Sequence, residues 1–92
     1  MYLHLGQNTI VHDREIIGIF DLDITSQSHR TRDYLNRAER SGDVVNVSEE
    51  LPKSFVVCAK PYNKEKQTVF ISQLSSQTLL RRSEAGFQTD LR

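Results

Sequence analysis

The chain has no tryptophan, one cysteine, two prolines and four glycines in 92 residues. A single thiol, Cys58, cannot close an internal disulfide, so a packed core must hold the fold, and a reducing cytoplasm suits it. The four glycines are dispersed and form no Gly-rich phosphate loop. Long apolar runs are missing too. The longest, Ile16-Ile17-Gly18-Ile19-Phe20, is five residues, against about 20 for a membrane-spanning helix. The opening Met1-Tyr2-Leu3-His4-Leu5-Gly6 has no basic stretch ahead of an apolar one, so no signal peptide is expected. Neither sign of charge dominates: 12 Lys+Arg balance 12 Asp+Glu. That removes the global basic field of many nucleic-acid binders and leaves a neutral chain prone to associate.

What is present suffices for one domain. Leu, Ile, Val and Phe supply 26 residues, about 28%, clear of the under-20% range of disordered chains. Charge is unevenly spread: residues 1–25 carry net −3, residues 26–66 net +2 and residues 67–92 net +1. Tyr2-Leu3-His4-Leu5, closed by Gly6, and Thr9-Ile10-Val11-His12 read as short strands. Ile16 to Phe20 reads as a strand buried on both faces, with Gly18 marking a bulge or a close backbone contact. Val44 to Val47 resumes strand character. Ser54 to Lys60 alternates Phe55, Val57 and Ala59 with Ser54, Val56 and Cys58, and Pro61 to Glu65 turns it toward a hairpin partner at 67–73.

Two helices interrupt the strands. From Ser28 to Ser41, Thr31, Tyr34, Leu35 and Ala38 share an arc of roughly 100°. Ser26 or Ser28 supplies its N-cap and Gly42 a left-handed stop. The second begins at Ser75, with Leu74 poised to staple onto Leu79 and with Arg81 and Arg82 in its last turn. Residues 83–92 have no clear period. The expected class is α+β: a small, mostly antiparallel sheet of five to six short strands with two short helices. Its apolar helix stripe is thin enough to leave part of the sheet uncovered.

Catalytic and metal chemistry find little support. His4, His12 and His29 lack the spacing that converges on a metal, Cys58 reads as an inert buried thiol, and Asp21 and Asp23 share a strand face without visible surroundings to split their pKa values. Neither an enzyme nor a cofactor is expected. The arginines are the stronger signal. Arg30, Arg37 and Arg40 share roughly 80° of helical arc, on the side expected to lie opposite Tyr34 and Ala38. Such a face can meet DNA phosphates, although on composition alone a solvated amphipathic helix is the better account. Arg14 is an isolated base in the acidic third, suited to a phosphate or a subunit boundary. Lys53, Lys60, Lys64 and Lys66 flank the last two strands, where lysines commonly protect sheet edges.

Taken in order, Tyr2-Leu3-His4-Leu5-Gly6, Ile17-Gly18-Ile19-Phe20-Asp21, Pro52-Lys53-Ser54-Phe55-Val56-Val57 and Ser72-Gln73-Leu74-Ser75-Ser76-Gln77-Thr78-Leu79-Leu80-Arg81-Arg82 resemble the RemB branch of the RemA/RemB family of small bacterial regulators of extracellular-matrix production. The resemblance runs over residues 1–83 and leaves 84–92 as an expected frayed tail. It implies a cytoplasmic DNA-binding regulator of biofilm-matrix genes that assembles into rings. By position, Arg14 and Leu51-Pro52-Lys53 take the places of the family's basic residues. The chain departs from the RemA pattern by carrying Leu51-Pro52 after Glu49-Glu50 where RemA-type chains have consecutive arginines. With Arg30, Arg37 and Arg40 from the helical spacing, and Arg14 and Lys53 from the resemblance, the nucleic-acid-binding residues expected are Arg14, Arg30, Arg37, Arg40 and Lys53. The expected partners are double-stranded DNA through its phosphates, further copies of the chain and a paralogue, without a membrane. The alternative is a self-assembling interaction protein with no direct DNA contact, which the neutral charge and Glu49-Glu50 favour.

Overall fold

Among the residues described by the computed structural model, 2–22 and 29–90 with side chains through Ser83, there are six strands and two helices. In chain order they are β1 (Tyr2–Gly6), β2 (Thr9–His12), a 3-10 turn (Asp13–Glu15), β3 (Ile16–Asp21), α1 (His29–Arg40), β4 (Val44–Asn46), β5 (Ser54–Lys60), β6 (Asn63–Ser72) and α2 (Ser76–Asp90). The class is α+β. The strands divide into two sheets, an antiparallel β1-β2 hairpin and a four-stranded sheet in the order β3-β5-β6-β4. Pairing is antiparallel except between β4 and β6, which run parallel.

Layers pack on both faces of the four-stranded sheet and leave its β3 edge partly uncovered. On one face, Tyr34, Leu35 and Ala38 of α1 pack against Phe55, Val57 and Val69. On the other, Val56 and Cys58 meet Leu3, Leu5 and Val11 of the hairpin and Leu79 of α2. The two-residue period of a strand thus sends alternate side chains of β5 into two separate cores. Ser54 to Ala59 are buried without a break, as an interior strand with two covers requires.

β3 behaves differently from its expectation. It lies at the sheet edge and is not buried on both faces: Ile17 is 52% exposed and Phe20 is 38% exposed. A bulge between Ile16 and Gly18 shifts the register, so Ile16 and Ile19, of opposite parity, both pack into the hairpin-side core. Gly18 also fits the close-contact reading. A Cβ there would lie 2.6 Å from the Phe20 ring, which stacks on Phe55 at a centroid distance of 5.0 Å.

The turns and caps follow local chemistry. Gly42 ends α1 at φ +74, and the Asp43 amide bonds back to the Ala38 carbonyl at 2.9 Å. Ser75 caps α2, its hydroxyl accepting from the Thr78 amide at 3.1 Å, and Leu74 packs into the core that holds Leu79. The helix runs to Asp90, so Arg81 and Arg82 lie well before its last turn. The hairpin turn is tighter than expected, with β6 starting at Asn63 directly after Pro61-Tyr62. Ser26 and Ser28, the proposed caps of α1, and Asp23 lie outside the described residues.

Two fully buried serines fasten the hairpin-side layer to the sheet. Ser54 Oγ donates to the Leu74 carbonyl at 2.7 Å. Ser72 Oγ donates to the Leu5 carbonyl at 2.7 Å and accepts from the Leu74 amide at 3.0 Å. Replacing Ser72 with Ala strands a buried carbonyl and leaves the Leu74 amide without that acceptor. Ser72→Ala should therefore lower the unfolding free energy by about 1–3 kcal/mol. Urea denaturation checks this, with an unchanged m-value expected.

Candidate nucleic-acid interface

The arginines of α1 owe their presentation to the residues beneath them. Tyr34 is anchored by its hydroxyl, which donates to Gln67 Oε1 on β6 at 2.6 Å. Partial burial, followed by the nearby Asp43 carboxylate, raises its pKa. With that face fixed, Arg30, Arg37 and Arg40 are all exposed. Arg30 and Arg37 are not opposite Tyr34 and Ala38, however. Arg30 borders an apolar groove with Ile17, Phe20 and Tyr34, and Arg37 lies beside Tyr34 and Ala38. The reason is helical arithmetic: four residues at 100° each return Tyr34 to within about 40° of Arg30. Asp33 sits in the same face, with its carboxylate 3.2 Å from His29 Nε2 and its carbonyl accepting from Arg37 Nε at 3.4 Å.

Arg14 and Lys53 are exposed but do not join each other. Arg14 projects from the 3-10 turn, where its amide donates to His12 Nδ1 at 3.1 Å. That turn leads into β3 at Ile16, paired with Cys58. Lys53 immediately precedes Ser54 at the other end of β5, where its amide donates to the Ser72 carbonyl and its carbonyl accepts from the Leu22 amide. The length of β5, seven residues, separates them by about 20 Å at the rise of a strand. The five sequence-predicted residues therefore form one helical group and two separate points.

A second cluster went unread in the sequence because it is assembled from three distant segments. A cavity of about 490 Å³ opens between β2, the 3-10 turn and the β5-β6 hairpin, with Ile10, Val11, Cys58 and Phe70 forming apolar wall and Lys60 and Lys66 at its rim. Lys60 Nζ pairs with Glu15 Oε2 at 2.5 Å. This contact lowers the Glu15 pKa and raises that of Lys60. Lys60 is thus an ion-pair partner as well as a lysine on a projecting ribbon. The hairpin tip extends beyond β4, which pairs β6 only at 69–71. Cys58 is buried, and burial, followed by the Glu15 charge, pushes its thiol up to about 11. Among the described residues no group of three or more His, Cys, Asp or Glu side chains converges for a metal, and no helix is long and apolar enough to cross a membrane.

No protein-family model matches the chain. It is similar to extracellular matrix regulatory protein B of Bacillus subtilis (strain 168), at 34% identity over 90 residues that cover 98% of this chain and 99% of the relative.

Two outcomes follow from this geometry. With its pKa displaced from 9.0 to about 11, Cys58 carries about 100-fold less thiolate near neutral pH than an unfolded chain. Alkylation of the native protein at pH 7.5 should be slower than in urea by at least that factor. For Glu15 the depressed pKa means stabilisation that is full above the ordinary carboxylate range and lost as pH falls through the folded value. The raised Lys60 pKa works in reverse, its stabilisation being lost as pH rises through the folded value. Glu15→Gln should therefore remove stability at pH 7 and almost none at pH 2, as read from urea midpoints at the two pH values.

Proposed function

The chain belongs to the RemB-like family of extracellular matrix regulatory proteins, and on that premise we propose that it is a cytoplasmic, non-catalytic transcriptional regulator of biofilm-matrix genes. It needs no cofactor and contacts double-stranded DNA through phosphates, as a ring-like homo-oligomer. The observation that carries this reading is the exposed Arg30, Arg37 and Arg40 on one helix. Arg14 and Lys53 add one charge each at the two ends of the sheet. A few phosphate contacts per subunit bind weakly, but copies linked in one assembly raise avidity by about 10²–10⁴. A dispersed basic set on a neutral chain suits that mode.

A second reading has its own observation. Glu49 and Glu50 stand exposed four and three residues before Lys53 and oppose a phosphate there. On that reading the protein assembles with itself or a paralogue and affects regulation without touching DNA. A mobility-shift titration with a matrix-gene promoter and an unrelated duplex separates the two. Binding at about 50 mM salt that weakens steeply by 200 mM is expected, and its absence at the lower salt overturns the DNA reading. Arg40→Gln and Arg14→Gln should each flatten the salt slope by about one unit for a lost phosphate contact.

A further inference from the structure

We infer that the Glu49-Glu50-Leu51 loop of one copy docks head to tail into the Lys60- and Lys66-rimmed cavity of a second copy. The inference rests on the self-assembly part of the proposed function and names its contact.

The loop is built to present its tip. At one end the Val47 amide donates to the Ile71 carbonyl, and at the other the Lys53 amide donates to the Ser72 carbonyl, both at 2.9 Å. Between them the Glu50 amide donates to Ser48 Oγ at 3.0 Å, and Pro52 stiffens the descent into β5. On this anchored turn Leu51 is 82% exposed, beside two exposed carboxylates. A leucine held out in water on a pinned loop loses little conformational entropy on binding.

The cavity suits it in size and charge. Its volume of about 490 Å³ falls in the range of small-ligand pockets, and Ile10, Val11 and Phe70 offer an apolar wall for one side chain. Alternation along β6 sends Lys66, Thr68 and Phe70 to this face and Glu65 and Gln67 to the α1 face. Of the strand's charged residues, Lys66 thus lines the cavity and Glu65 does not. Glu15 is already paired with Lys60, which leaves the rim net positive through Lys66. Ile10 and Tyr62 extend apolar surface at the mouth, 56% and 86% exposed.

Placement makes the match directional. The loop precedes Ser54 at the start of β5, whereas the cavity is lined by Cys58, Ala59 and Lys60 at its end. Two unlike, complementary surfaces at opposite ends of one sheet produce a heterologous contact, which closes into a ring when the rotation allows.

Light scattering on the full chain tests this with two single substitutions at exposed positions. Leu51→Asp places a charge against the apolar wall, and Lys66→Glu reverses the rim. Wild type should assemble at micromolar concentration and loosen at high salt, and each variant alone should need at least tenfold higher concentration to assemble. Mixed in equal amounts, the variants should form species of two chains, because the Leu51→Asp copy keeps an intact cavity and the Lys66→Glu copy an intact loop. Variants that assemble like wild type, or a folded mixture that stays at single-chain mass, overturn the contact and leave self-assembly standing. A wild type of single-chain mass at every concentration overturns self-assembly and this contact together.

Discussion

The structure depends on a strand that must be dry on both sides. β5 buries six consecutive residues, and a single helix or hairpin can shelter only one of its faces. Every other element answers to that constraint. α1 covers Phe55 and Val57, while the β1-β2 hairpin and α2 cover Val56 and Cys58. Once the faces are closed, the chain's exposed chemistry is left at the ends of the strand and on the outer side of α1. Ser54 and Ser72 belong to the same solution. Their hydroxyls satisfy the Leu5 and Leu74 carbonyls where the hairpin-side layer meets the sheet, which removes a desolvation cost that an apolar residue there would leave standing.

The two covers differ in quality, and the difference shapes the surface. The hairpin-side core closes around Leu5, Val56 and Leu79, all fully buried. α1 has no buried residue, and its Tyr34 is held by the Gln67 hydrogen bond in addition to packing. A helix held by a thin stripe can carry arginines close to that stripe, where long aliphatic stems lie along apolar surface while the guanidinium stays in water. Arg30 beside Ile17 and Phe20 is such a case. The basic charge of α1 therefore lies partly beside its packing stripe, at Arg30 and Arg37.

Regular local patterns made much of the fold readable. Gly42 after a helical run and Ser75 ahead of one follow from backbone preference and nearby side chains, and each stands where the sequence places it, while the β5-β6 hairpin forms with a tighter turn than its polar residues suggested. Readings that depended on neighbours fared differently. The continuous apolar run of β3 resembled an interior strand, yet it lies at an edge, because apolar content does not say how many faces a strand will have covered. The alternation within Ser54 to Lys60 is present, but both phases of it are buried, since a second layer arrived on the far side of the sheet. Cys58 was legible as a buried thiol because its neighbours Val57 and Ala59 along the strand are buried as well.

The candidate sites divide along the same line. The α1 arginines were found by angle, and their exposure followed. Their position relative to Tyr34 needed only the helical period. Arg14 and Lys53 were found singly, and only the strand between them places them at opposite ends. The cavity rimmed by Lys60 and Lys66 draws on β2, the 3-10 turn and the β5-β6 hairpin, so no spacing along the chain announces it. By itself the sequence determined the class, the stop of α1 at Gly42, the start of α2 after Ser75 and the charges available, because those rest on interactions within a few residues. Tertiary structure alone decided which strand is interior, which lysine meets Glu15 and where apolar wall and basic rim coincide. Those outcomes depend on contacts between separate segments of the chain, such as Lys60 with Glu15, whose partners are chosen by burial of the whole sheet.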